Sequence, residues 1–186
     1  MKKITFITTA SAMLLFFIAA NTAYVSNASP TRETATASSS FTATIAGKPY
    51  TGKINHATQT LNYQNSGNNI LTVESFGSPD AADAPSTQSF VLLVHFTGDK
   101  PAEKAYSFEA MVLGKPFSST RGSYSDGSNH YSFDPARGGS GSIAFSSVDE
   151  GKGLVSGTFS GTAVNGPNKV SITNGRFNNL TIFRGK

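Results

Sequence analysis

Residues 154–164 read LVSGTFSGTAV, with Val155, Phe159 and Ala163 on one side of the run and Ser156, Thr158, Ser160 and Thr162 on the other. A period of two is the signature of a strand with one buried and one wet face. It recurs at 41–46, where Phe41, Ala43 and Ile45 alternate with Thr42, Thr44 and Ala46. Ser and Thr make up roughly a quarter of residues 29–186, all 18 glycines lie there, and no long 3.6-residue period is present. Such a chain favours short strands with frequent turns over helices.

Further strands are expected at 50–55, 61–64, 69–76, 89–96, 104–112, 116–124, 129–133, 142–148, 169–173 and 176–183. Residues 89–96 (SFVLLVHF) are apolar on both faces, which places them centrally in a sheet. Residues 78–88 (SPDAADAPSTQ) read as a loop. Asn174-Gly175 is the strongest short hairpin signal, with Ile172 then opposite Phe177; a glycine bulge in one long bent strand is the competing reading. Successive strands on short loops imply an all-β fold, an antiparallel meander forming a sandwich or flattened barrel of roughly eight to ten strands.

The first 28 residues read as an export signal. Met1-Lys2-Lys3 is a short positive region, an uncharged apolar run follows, and Ser26-Asn27-Ala28 offers small residues for cleavage. A cut after Ala23 and an uncleaved anchor are the alternatives. Residues 29–40 hold no apolar side chain larger than Ala and read as a flexible linker. Residues 41–186 then form a single domain, because their apolar content supplies one core and not two. The expected location is the periplasm or outside the cell, with no membrane span once the signal is removed.

The formal net charge is +4, and Lys2 and Lys3 leave with the signal. No basic run exceeds two residues, so nucleic acid and polyanions in general are not expected partners. The chain has no Cys, which excludes disulfides, thiolate catalysis, zinc–cysteine sites and a lipoprotein anchor.

The opening Phe41-Thr-Ala-Thr-Ile-Ala-Gly-Lys-Pro-Tyr50 and the runs at 141–145, 155–163 and 170–177 are similar to a group of exported domains of unknown function common in Bacteroidetes-type bacteria. The resemblance spans 41–183 and rests on turn-and-strand motifs, so it implies fold and export but no catalytic residues. Many of those domains are lipoproteins; this chain departs from them in having no Cys after the apolar run.

Chemistry is sparse. Gly138-Gly139-Ser140-Gly141 misses the register of a nucleophile elbow. His56, in an expected turn, His95 and His130 stand at no metal-pair spacing. Ser125-Asp126-Gly127-Ser128-Asn129 has one carboxylate where a calcium loop supplies several, and Asp149-Glu150 reads as turn solvation. No metal or other cofactor is expected. Tyr106, Arg121, Tyr124, His130 and Tyr131 fall together in the irregular middle and are the candidates for a ligand mouth; ordinary rim packing is the competing reading. The absence of Trp disfavours a sugar-stacking platform.

Three function classes follow. A non-enzymatic binding module, monomeric and taking an unknown small molecule or envelope partner, fits a β scaffold with no catalytic constellation; one version holds an apolar ligand inside the barrel. An extracellular hydrolase would draw on His130, Asp126, Asp134 and Glu109. A structural subunit would pair through strand edges, which short polar strands oppose.

Overall fold

The two-residue alternation is realised as strands. A computed structural model describes residues 38–61, 68–77, 88–110 and 119–185, all within the unit Ala37–Lys186. The expected signal, most of the linker and the 78–87 loop lie outside the described residues. In chain order the strands are β1 (Ser40–Ile45), β2 (Lys48–Thr51), β3 (Ile54–Thr60), β4 (Asn69–Gly77), β5 (Gln88–Phe96), β6 (Ala105–Ser107), β7 (Arg121–Ser125), β8 (His130–Ser132), β9 (Ser140–Asp149), β10 (Leu154–Asn165) and β11 (Asn168–Gly185). Among the described residues no helix is long and apolar enough to cross a membrane.

The strands form one sheet in the order β2-β1-β11-β3-β4-β5-β7-β8-β10-β9-β6, and β10 also pairs with β11. That pairing closes seven of them, β11, β3, β4, β5, β7, β8 and β10, into a ring. The result is a flattened barrel of two layers, β2-β1-β11-β10-β9-β6 against β3-β4-β5-β7-β8. Among the described residues it has eleven strands where eight to ten were expected. The meander is also incomplete: the 18-residue β11 runs past β1 and meets β3 in parallel, from Ile182↔Ala57 to Gly185↔Thr60. His56 lies in β3, paired with Glu74, and not in a turn.

Asn174-Gly175 makes no hairpin. β11 passes through it as one strand, and Asn174 takes φ 52°. Two β11 residues there oppose one on each neighbour, as the register moves from Arg176 to Thr173 against Thr42 to Thr44 and from Gly175 to Ile172 against Phe159 to Gly161. This is a bulge, and Asn tolerates the left-handed backbone that it needs. A second bulge sits at Asn179, φ 49°, where Val155↔Leu180 gives way to Gly157↔Phe177. Each bulge resets the alternation, so Ile172, Phe177 and Leu180 all point inward at 0% exposure although their spacings are odd. Ile172 and Phe177 therefore share the core side of one strand instead of facing each other across a turn.

β5 lies inside the ring between β4 and β7. Its Phe90, Leu92 and Val94 are fully buried, while Val91 and Leu93 on the other face are half-buried. The interior is filled with aromatic rings. Phe90 lies 5.5 Å from Phe41, 5.2 Å from Phe159 and 5.1 Å from Tyr124, bridging the two layers. Phe41 in turn lies 6.4 Å from Phe177. A barrel packed in this way leaves its centre to side chains.

Candidate functional site

At one end of the barrel the turn between β1 and β2, the start of β5, the end of β7 and the start of β11 surround a cleft of about 230 Å³. The β1–β2 turn is Ala46-Gly47, with φ 49° and 80° at its two central residues. Positive φ at both is what a tight two-residue hairpin demands, and Ala46 holds it without the freedom of Gly. The turn presents Ile45, Ala46, Lys48 and Pro49 to the cleft; Val170 of β11 completes that side, and Gln88, Tyr124 and Asp126 face it from the other layer.

Tyr124 and Tyr131 pair across the β7–β8 hairpin and stack at 5.8 Å and 28°. Their rings are buried, at 3% and 8% exposure. Tyr50 joins them from β2: its ring lies 5.2 Å from Phe90, and its hydroxyl shares a 3.0 Å hydrogen bond with Ser75 Oγ. Ser75 Oγ donates onward to Asn55 Oδ1 at 2.7 Å, so the buried phenol ends in a satisfied chain. Burial is the main reason that the Tyr124 hydroxyl is pushed up to about 12, with Asp126, Tyr131 and Tyr50 adding to it. Burial raises Tyr50 too, and its bond to Ser75 pulls the other way. Both phenols therefore stay protonated at neutral pH and can donate.

Asp126 is held by its own turn. Its Oδ1 accepts from the backbone N–H of Ser128 at 2.9 Å and of Asn129 at 2.6 Å, and Oδ2 accepts from Asn129 Nδ2 at 3.1 Å. Partial desolvation raises its carboxyl, but these bonds, with the Tyr131 hydroxyl, outweigh that and leave it below the usual carboxylate range. A depressed folded-state pKa contributes stability above the unfolded value and loses it as pH falls through the folded one. Asp126→Asn should thus melt below wild type at about pH 7, and the gap should close by about pH 2. Thermal melts across that range check this; a gap of constant size would show that the charge is not what holds the turn.

The other sequence candidates are placed elsewhere. His130 follows the turn, exposed, opposite Ser125. Arg121 lies on the opposite face of β7 from Tyr124, with Nε donating to Ser119 Oγ at 3.0 Å. Tyr106 is on β6 at the far edge, its hydroxyl tied to the Ala102 N–H at 2.8 Å and its ring 5.8 Å from Phe145. The structure brings Tyr124, Tyr131 and Asp126 together and leaves Arg121 and Tyr106 outside the cleft. Lys48 and Gln88, which also line the cleft, were missed in the sequence.

Of the hydrolase candidates, Glu109 and Asp134 line one cleft with Arg121, Phe108 and Phe133, but its volume is about 50 Å³, room for little more than water. The Asp134 carboxylate there is engaged as a cap, accepting from Ala136 N–H at 2.9 Å. Among the described residues no three His, Asp or Glu side chains come together as metal ligands. No family model, curated protein or solved structure matches the chain.

Proposed function

We propose that the chain is an exported, non-enzymatic binding module whose ligand, a small polar molecule with an apolar flank, sits in the cleft at the barrel end. One observation carries this reading: Lys48, Gln88, Tyr124 and Asp126 line one cleft together with the apolar Ile45, Pro49 and Val170. Small-molecule sites have this composition, apolar walls with a few polar groups fixing orientation. The filled interior argues against an apolar ligand inside the barrel. The cationic Lys48 and anionic Asp126 suit a neutral polyhydroxylated or zwitterionic compound better than an ion. Export rests on the N-terminal signal pattern and on the resemblance to exported domains.

The test is a titration, followed by backbone amide NMR, with panels of neutral sugars and of zwitterionic amino acids and dipeptides. Saturable shifts confined to Ile45, Gln88, Tyr124, Asp126 and Val170 are expected from one panel. Lys48→Ala or Gln88→Ala should then weaken binding by about 2–10-fold, the loss of one hydrogen bond. Shifts absent from the cleft with both panels would count against the proposal.

A further inference from the structure

The outer face of the layer β2-β1-β11-β10-β9-β6 is a carpet of hydroxyls with one cation at its centre. The pairing register lines up Thr51, Thr42, Arg176, Thr158, Ala144 and Ala105 as a row across all six strands. Beside it runs Ser160–Ser142–Ser107. Arg176, Thr42, Thr158 and Ser160 are exposed. Arg176, Asn174, Ser142, Thr158 and Ser160 line an open groove of about 320 Å³, floored by Gly175 and Phe159. The groove lies at the Asn174 bulge, a feature that re-aims side chains in a strand.

Arg176 has no ion pair or hydrogen bond to another side chain among the described residues. The single carboxylate within these six strands is Asp149, at the end of β9 and paired with Lys152 at 3.5 Å. A guanidinium is a planar fork that matches two oxygens of a sulfate, phosphate or carboxylate group, and Ser and Thr hydroxyls can donate to the same oxygens or bond to neighbouring sugar hydroxyls. Hydroxyls continue beyond the groove, as Thr42 and Thr51 on one side and Ser107 on the other, so a ligand larger than the bare anion keeps its contacts.

We infer that this groove binds an anionic sugar, with the oxyanion on Arg176 and the sugar hydroxyls on Ser142, Thr158 and Ser160. Recognition here is by charge and hydrogen bonds, so it needs no stacking Trp. One isolated cation suits a chain with anionic groups at intervals, not a dense polyanion.

Glucose 6-sulfate, glucose and inorganic sulfate are the probes, each titrated by NMR against the folded protein. Glucose 6-sulfate should shift the amides of Ser142, Thr158, Ser160 and Asn174 saturably and bind more tightly than either of the others. Arg176→Gln should weaken it about tenfold or more, and Arg176→Lys, which keeps the charge and loses the fork, should fall between. Lys48→Ala should leave it unchanged, since the barrel-end cleft is a separate site. The inference is overturned if glucose 6-sulfate gives no shifts in the groove, if inorganic sulfate binds as tightly, or if Arg176→Gln retains wild-type affinity.

Discussion

Phe90→Ala should destabilise the domain by about 3–5 kcal/mol, the cost of deleting a large aromatic side chain from a packed core. Phe90 is fully buried, and its ring meets Phe41 and Tyr50 of one layer, Tyr124 of its own layer, and Phe159 at 5.2 Å and 63°. Removing it takes away apolar burial and also the edge and tilted ring contacts that bridge β1, β2 and β10 to β5. Domains of this size hold about 5–15 kcal/mol in total, so one substitution would use up a large share. Phe183→Ala is the control: that side chain is 56% exposed, and its loss should cost far less. Urea unfolding of both variants, with unchanged m-values, measures the difference. Equal costs would mean that this ring cluster does not hold the layers together. The effect reaches the cleft as well, because Phe90 supports the rings of Tyr50 and Tyr124. A folded Phe90→Leu variant should therefore bind any cleft ligand less tightly even where its stability is adequate.

What was legible in the sequence was whatever alternation alone decides. β1, β5 and β10 could be read with their faces because nothing interrupts the count between Phe41 and Ile45 or between Phe90 and Val94. Bulges broke that reading elsewhere. One at Ser146 lets Phe145 and Val148 both point inward, and those at Asn174 and Asn179 do the same for β11. Asn-Gly suits a hairpin and a bulge equally, since both need left-handed backbone; the choice fell to pairing with β1 and β10 on the two sides, which is tertiary. The parallel pairing of Ile182 with Ala57 leaves no local trace at all. The site divides the same way. Tyr124 and Tyr131 lie in one hairpin, so their meeting was within reach of sequence. Strict alternation could also have separated Arg121 from Tyr124, an odd number of residues apart on one strand and so on opposite faces. Lys48 and Gln88 come from strands far apart in the chain and carry no pattern that marks them.

Gly157→Ala should cost about 3 kcal/mol, a large effect for one methyl group. A Cβ at this position would stand 2.2 Å from the Ala144 carbonyl oxygen and 2.4 Å from Phe177 Cζ. Neither can give way easily. The carbonyl belongs to the β9 ladder, and Phe177 is fully buried between Phe41 and Phe145. The register shows why the space is so tight. β9 shifts its pairing with β10 between Ser156 and Gly157, and β11 shifts between Val155 and Gly157, so bulges on both neighbours converge on one residue. That convergence bends the three longest strands together and lets the layer wrap over the phenylalanine core. Gly151→Ala is the matched control: its nearest atom would be Asp149 Oδ1 at 3.4 Å, in an exposed turn, and stability should change by no more than about 0.5 kcal/mol. Chemical denaturation of both variants decides the matter. If Gly157→Ala were as well tolerated as Gly151→Ala, the close crossing of β9, β10 and β11 would not be what requires glycine here.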